Sequence, residues 1–152
     1  AVTGKLPDAL HMKLGIAVGQ QAYKAYGDFL ASARCRRVMN EGATPQRLLL
    51  ASTGTKDPKA SDTYYVEALA APFTVNTLPE GTLKAFAAHG KVGAPPPADG
   101  GDCEAGLLRF RQAGVDLDAL AAQLQSEGTA SFVASWHELL GVIASRSSSM
   151  MT

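Results

Sequence analysis

The amino-acid sequence predicts an α/β protein that is mostly helical and contains a short parallel sheet. Twenty-six of its 152 residues are alanine, the residue with the highest helix propensity. Two short strand-like runs, residues 46–52 and 72–77, flank a helical pattern at residues 61–69. Because strands that alternate with helices form right-handed crossovers, this order favours a parallel pair of strands.

The composition excludes several classes of protein. Fourteen basic and fourteen acidic residues give a net charge of zero, so we expect no nucleic acid partner. No apolar run approaches the roughly 20 residues that cross a bilayer, and residues 1–7 do not resemble a secretory leader. Cys35 and Cys103 belong to no metal-ligand spacing. We therefore expect a cytoplasmic protein with no membrane partner, metal or cofactor.

The first 40 residues predict two helices. Apolar residues recur every three or four positions from residue 10 to residue 29, which predicts a long helix capped by Asp8. Gly15 and Gly19 lie one turn apart in it, and we expect them to let the helix backbone approach a sheet closely. A short basic helix is predicted at residues 32–40, where a solvated charge run is the simplest interpretation.

Both strands are bounded by residues that favour turns. The run at residues 46–52 follows Pro45 and ends at a Thr-Gly-Thr turn, which is typical of a strand buried on both faces. The strand at residues 72–77 precedes a helix that begins at Pro79-Glu80.

The C-terminal part predicts a loop followed by helices. Residues 90–102 form a Pro/Gly-rich loop. We expect three helices beyond it, at residues 104–113, 117–125 and 131–145, separated by Gly114 and Gly128. The last carries an apolar stripe that needs a partner surface, made of Phe132, Trp136, Leu139, Leu140 and Ile143. Residues 146–152 are expected to be a frayed tail.

The turn after the first strand has the residue types of an anion site. It offers three hydroxyls, one glycine and one lysine, namely Ser52, Thr53, Thr55, Gly54 and Lys56. Glycine lets backbone amides approach an anion, while hydroxyls and lysine donate hydrogen bonds to it. The turn lacks the spacing of a nucleotide-binding P-loop, and its hydroxyls could instead bind their own backbone.

Polar residues also follow the second strand. Asn76 could contact a ligand at the same end of the sheet or serve as an ordinary helix cap. The three histidines, His11, His89 and His137, share no metal-like spacing with one another or with the cysteines.

Residues 46–58, 61–67 and 74–79 resemble the C-terminal portion of the longer bacterial and plant-type transaldolases. The similarity continues through residues 85–90 and through Glu127-Gly128 to Phe132, Ser135 and Trp136. Some members of this group carry a fused glucose-6-phosphate isomerase. The resemblance covers nearly the whole chain and identifies residues 1–152 as the C-terminal portion of a transaldolase-like barrel.

The resemblance implies a (β/α)8 TIM barrel and a transferase of carbohydrate metabolism, in the pentose phosphate pathway. A lysine on the fourth strand forms a Schiff base, through which a dihydroxyacetone unit passes between sugar phosphates. The strands ending near Ser52 and Asn76 would be the seventh and eighth. The nucleophilic lysine has no counterpart here, so no catalytic residue is assigned to this chain, and we expect the chain alone to be inactive.

The matched positions imply a substrate-binding role for four residues. Ser52 is assigned to a substrate hydroxyl, Thr53 and Lys56 to the phosphate, and Asn76 to a lesser pocket contact. The chain departs from the family at Leu50, where tryptophan is usual, and at Asp57, where asparagine is usual. The negative charge of Asp57 opposes phosphate binding next to Lys56.

The expected partners are sugar-phosphate substrates and either the remainder of the barrel or a second copy of the chain, because two strands leave unpaired edges. The alternative function is a non-catalytic helical interaction module that retains a barrel fragment.

Overall fold

The computed structural model describes residues 6–150, and the chain divides into two compact units, Ala1–Ala113 and Gly114–Thr152. Expectations for residues 1–5 and 151–152 lie outside the described residues. In the first unit, a 3-10 turn at Asp8–Leu10 precedes α1 (Lys13–Ala31), α2 (Ala33–Asn40), β1 (Leu48–Leu50), α3 (Tyr64–Leu69), β2 (Thr74–Asn76), α4 (Glu80–His89) and α5 (Cys103–Gln112). The second unit contains α6 (Leu117–Met150).

The strands β1 and β2 pair in parallel, as the order of elements predicts. Leu48 pairs with Thr74, and Leu50 pairs with Asn76. Both strands are shorter than predicted, with three residues each. The prediction that the first strand is buried on both faces is wrong, because Leu49 is 50% exposed.

Small residues let α1 pack closely against α3. A Cβ added at Gly15 would lie 3.4 Å from Tyr65 Cε1, and one added at Gly19 would lie 2.7 Å from Leu69 Cδ2. The two glycines therefore leave room for side chains of α3. The expectation that they face a sheet is wrong. A sequence pattern indicates a close approach but does not identify the partner.

The long first helix begins later than predicted. Met12 adopts a left-handed conformation (φ 62°), and α1 starts at Lys13 rather than after Asp8, whose side chain caps nothing. The Tyr65 hydroxyl donates a hydrogen bond to the Met12 carbonyl oxygen (3.3 Å). Tertiary packing explains why the helix does not start at Asp8. The burial of Leu10 holds the chain before Met12 in place, and the Tyr65 hydroxyl pairs with the Met12 carbonyl group.

The helix α5 completes the core of the first unit. A Cβ added at Gly106 would lie 3.6 Å from Ala17 Cβ, so α1 and α5 are in van der Waals contact where both carry small residues. Cys103, Leu107 and Phe110 of α5 are all buried. The irregular residues 90–102 connect α4 to α5.

The second unit differs from the prediction of two separate helices. The helix α6 runs through Gly128 without a break. One glycine costs a helix only about 1 kcal/mol, which the surrounding alanines and leucines offset. Hydrogen bonds from Gln123 to Glu127 (2.7 Å) and from Thr129 to the Gln125 carbonyl (2.9 Å) span the same turn.

Residues 146–150 continue α6, and the frayed tail stays a prediction. Within residues 6–150, no helix has both the length and the apolar character that crossing a bilayer requires.

The contact between α1 and α3 predicts a difference between two alanine substitutions in α1. Gly19→Ala places a methyl group against the buried Leu69 side chain, whereas Gly27→Ala has no neighbour within 4 Å. Both gain about 1 kcal/mol of helix propensity. We expect Gly19→Ala to be less stable than Gly27→Ala by roughly 1–3 kcal/mol, the usual cost of overpacking. Urea unfolding measures the difference, and equal stabilities would contradict the packing described here.

Candidate functional site

The carboxyl ends of the two strands are joined by a side-chain hydrogen bond. The Thr53 hydroxyl donates to Asn76 Oδ1 (2.7 Å), and Thr53 is only 4% exposed. The Asn76 amide is thereby oriented, and its NH2 group has no partner among the described residues. Two of the four predicted site residues therefore meet, but the Thr53 hydroxyl is bonded to protein.

The turn after β1 is held against the start of α4. A Cβ added at Gly54 would lie 3.0 Å from Pro79 Cγ and 3.2 Å from Thr82 Oγ1. The Thr77 N–H donates to the Leu50 carbonyl oxygen (3.0 Å), which extends the strand pairing to this end. A side chain at this position would press against Pro79 and Thr82, so Gly54 also has a packing role, which the anion-site interpretation of the sequence did not include.

A cavity of about 580 Å³ opens beside this turn within the first unit. Ser52, Thr53, Lys56 and Asp57 line its polar side, and Asn76 does not line it. The rest of the lining is largely apolar and includes Leu10, Met12, Leu14, Leu69 and Phe110. Three of the four predicted site residues therefore line one cavity. The fourth, Asn76, lies behind this lining and is bonded to Thr53.

Two residues on the cavity wall have unfavourable backbone conformations. Ser52 (φ 59°) and Met12 (φ 62°) are both left-handed although neither is glycine. Such a conformation costs about 1–2 kcal/mol for a residue with a Cβ atom. Strained residues of this kind cluster at ligand sites, and the exposed Ser52 side chain stands at the cavity rim.

The charged residues of the turn have different surroundings. Lys56 is exposed, and no hydrogen bond or ion pair to it is found among the described residues. Asp57 Oδ1 accepts a hydrogen bond from the Lys59 N–H (2.9 Å) and so stabilises the turn itself. Lys56 is therefore available to an anion, although the carboxylate of Asp57 lines the same cavity.

A second, more polar cavity of about 520 Å³ shares Lys56 and Asp57 with the first. Asp62 and His89 line it, and His89 Nε2 lies 2.8 Å from Asp62 Oδ1. The sequence did not predict this pair, because 27 residues separate its members and no motif connects them. Within residues 6–150, no group of three or more His, Cys, Asp or Glu residues could hold a metal ion.

Glu67 connects α3 to the chain after α4. Its Oε1 accepts hydrogen bonds from the Lys91 N–H (2.9 Å) and the Thr63 hydroxyl (2.9 Å). These two bonds, the Lys91 bond first, lower the pKa of the Glu67 carboxyl from its usual value. The ionised form of Glu67 is therefore favoured, and it connects Thr63 at the start of α3 to the backbone of Lys91.

Comparisons with known proteins give a consistent result. The family model described as Transaldolase/Fructose-6-phosphate aldolase matches residues 2–143. A transaldolase of Frankia alni is 45% identical over 139 residues, which cover 90% of this chain and 37% of the relative. A transaldolase of Saccharopolyspora erythraea is 44% identical, and the match covers 88% of this chain and 37% of the relative. A transaldolase of Neisseria meningitidis is 37% identical, and the match covers 92% of this chain and 40% of the relative. The chain spans a little over a third of the length of these relatives.

The bond between the two strand ends predicts an energetic coupling between Thr53 and Asn76. In a double-mutant cycle of Thr53→Val and Asn76→Ala, we expect a coupling of about 1 kcal/mol, because one hydrogen bond is shared. Urea unfolding of the four proteins measures it. The control cycle pairs Thr63→Val with Asn76→Ala, because Thr63 is also buried but bonds to Glu67. Additive effects in the first cycle would contradict a specific Thr53–Asn76 bond.

The hydrogen bonds of Glu67 predict a pH-dependent contribution to stability. Its pKa is lower in the folded protein than the ordinary 4.5, so the native state favours the carboxylate. The stabilisation is fully present above pH 4.5 and is lost as the pH falls through the folded pKa. We expect Glu67→Gln to be less stable than the wild type at pH 7, by a margin that shrinks in acid.

Urea midpoints measured between pH 7 and pH 3 test this expectation. Glu138→Gln is the matched control, because it also removes one negative charge, from an exposed position of α6. A margin for Glu67→Gln that stays constant over this range would show that the carboxylate form is not the one stabilised.

Proposed function

Because the chain belongs to the transaldolase and fructose-6-phosphate aldolase family, we propose that it supplies one wall of the sugar-phosphate site of a transaldolase. The observation that carries the proposal is that Ser52, Thr53 and Lys56 line one cavity at the carboxyl ends of parallel strands. Parallel α/β folds place their ligands at this end of the sheet. The complete enzyme would transfer a dihydroxyacetone unit between sugar phosphates through a lysine Schiff base, in the pentose phosphate pathway.

We propose that β1 and β2 correspond to the seventh and eighth strands of a (β/α)8 barrel. Their parallel pairing and the helix between them agree with this assignment. The chain covers 37% of the Frankia alni relative, a share that leaves room for six earlier strands outside the match. On this assignment, the Schiff-base lysine belongs to the part of the enzyme that this chain does not match.

Lys56 suits a phosphate contact better than a nucleophilic role. A lysine that forms a Schiff base needs burial or a neighbouring cation to favour its neutral amine. Lys56 is instead exposed beside the carboxylate of Asp57. The Lys56 side chain can reach a phosphate there and attract it as a point charge.

For the other residues of the site, the roles that we propose differ in part from those assigned from the sequence. The Ser52 hydroxyl stands at the cavity rim and would contact a substrate hydroxyl. Thr53 orients Asn76, so we now assign the Thr53 hydroxyl to positioning rather than to the phosphate. Asn76 does not line the cavity, so its lesser role would be to hold the Thr53 hydroxyl in place, while Asp57 would limit affinity for the phosphate dianion.

The second candidate function is a non-catalytic interaction module. The observation that favours it is the apolar stripe of α6, because all five of its side chains are exposed within the second unit. Exposed apolar patches of this kind mark interaction surfaces. Sugar-phosphate binding by the first unit distinguishes the two functions.

The proposed function predicts that Lys56→Ala weakens the binding of fructose 6-phosphate, measured by isothermal titration calorimetry. We expect a loss of about tenfold, which corresponds to about 1.4 kcal/mol, because one charge-assisted contact is removed. Lys59→Ala is the matched control, since Lys59 is an exposed lysine of the same loop but lines neither cavity. Asp57→Asn should tighten binding.

Equal losses for the two lysine variants would contradict the assigned phosphate contact, and no binding by any variant would favour the interaction module. The same preparation should show no transaldolase turnover. Robust turnover by the purified 152-residue chain would contradict the assignment of the nucleophilic lysine to other sequence.

A further inference from the structure

A third cavity, of about 280 Å³, lies between α1, α5 and the start of α3. Four side chains that carry hydrogen-bond donors line it, namely Lys13 and Gln20 of α1, Tyr64 of α3 and Arg109 of α5. We call this cavity with its four donors the α1–α5 site. It shares no polar residue with the cavity beside Lys56.

The lysine and the arginine of the α1–α5 site lie opposite each other on antiparallel helices. Gln21 Nε2 donates a hydrogen bond to Glu104 Oε1 (3.4 Å). Nearer the start of α1, Ala17 contacts Gly106, which comes later in α5 than Glu104, so the two helices run in opposite directions. One turn beyond this contact lie the lysine, four residues before Ala17, and the arginine, three residues after Gly106.

Neither of these two cations is neutralised by a carboxylate. In the part of the chain that the structure describes, no ion pair or side-chain hydrogen bond to Lys13 or Arg109 is found. The first turn of α1 contains no acidic residue. Asp102 also lines the cavity, but it precedes Arg109 by seven residues, which is about 10 Å along a helix axis. The facing charges repel each other, and an anion between them replaces this repulsion with attraction.

The two neutral donors of the site are also available. Among residues 6–150, no hydrogen bond to the Gln20 amide or to the Tyr64 hydroxyl is found, although both side chains are partly buried. Arginine offers a planar fork of N–H groups, and lysine offers a flexible ammonium group. Donors that converge from three helices suit a group with acceptor oxygens on several sides, such as phosphate.

We propose that the α1–α5 site binds a small diphosphate. Two facing cations on different helices match two linked phosphate groups, and both side chains are exposed, so the ligand can enter from solvent. A cavity of about 280 Å³ lies at the small end of the range for ligand pockets, which favours a compact anion over a nucleotide. The bound anion ties α1 to α5 at the end of their contact where like charges meet.

Isothermal titration of the full 152-residue chain with pyrophosphate tests the proposal. Lys56→Ala serves as the background, because it removes the other proposed phosphate contact. We expect one site per chain, with binding about tenfold weaker in Arg109→Gln and in Lys13→Gln, because each substitution removes one charge-assisted contact. Arg111→Gln is the matched control and should leave the affinity almost unchanged, since Arg111 is an exposed arginine of the same helix that does not line the cavity.

Urea unfolding gives a second measurement. Pyrophosphate should raise the urea midpoint of the chain, because it binds the folded contact between α1 and α5, and Arg109→Gln should reduce the rise. Circular dichroism checks that the variants fold, as expected for exposed side chains, and the two site variants lie on different helices. The proposal is overturned if pyrophosphate does not bind, or if Arg111→Gln weakens binding as much as Arg109→Gln. Succinate that binds as tightly as pyrophosphate would overturn the assigned ligand class.

The two proposals fail separately. Arg109-dependent binding of pyrophosphate, together with equal fructose 6-phosphate affinity of Lys56→Ala and Lys59→Ala, would retain the α1–α5 site and reject the phosphate contact of Lys56. Lys56-dependent binding of fructose 6-phosphate without binding of pyrophosphate would do the reverse.

Discussion

Small residues on two opposite sides of α1 determine how closely the helices of the first unit can pack. Gly15 and Gly19 leave room for Tyr65 and Leu69 of α3, and Ala17 meets Gly106 of α5. Side chains of ordinary size at these positions would separate the three helices. Because Met12, Leu69 and Phe110 line the larger cavity, the same close packing sets its walls. The core of the unit therefore lies among helices, while the sheet carries polar groups at its carboxyl end.

The turn after β1 uses chemically similar residues for different tasks. The Thr53 hydroxyl is buried and orients Asn76, whereas the Ser52 side chain is exposed on a strained backbone. Gly54 fits against Pro79, and Asp57 stabilises the turn through the Lys59 amide. Lys56 is the side chain of this turn that has the charge and the exposure to meet an anion. Burial thus separates the two hydroxyls of this turn: the buried Thr53 hydroxyl has a structural role, and the exposed Ser52 hydroxyl is available for binding.

The features that the sequence predicted correctly are those that depend on neighbouring residues. The positions of both strands follow from local apolar runs and turn residues, and the parallel pairing follows from the helix between them. Features that depend on distant residues were missed or misassigned. The role of Thr53 requires Asn76, 23 residues away, and the partner of Gly19 is a leucine 50 positions later. The break expected at Gly128 did not occur, because a single glycine is too weak a signal against favourable helical neighbours.

The contact between α1 and α5 has a consequence for the order in which the unit assembles. Ala17 and Gly106 are 89 positions apart (106 − 17), whereas the paired Leu48 and Thr74 are 26 apart (74 − 48). Loop-closure entropy grows with the logarithm of the separation, so the helix contact costs about 1 kcal/mol more to close than the strand pair. During synthesis, α1 leaves the ribosome long before α5 exists. The helix that organises the first unit is therefore made before α5, and it cannot complete its contacts until α5 has been made.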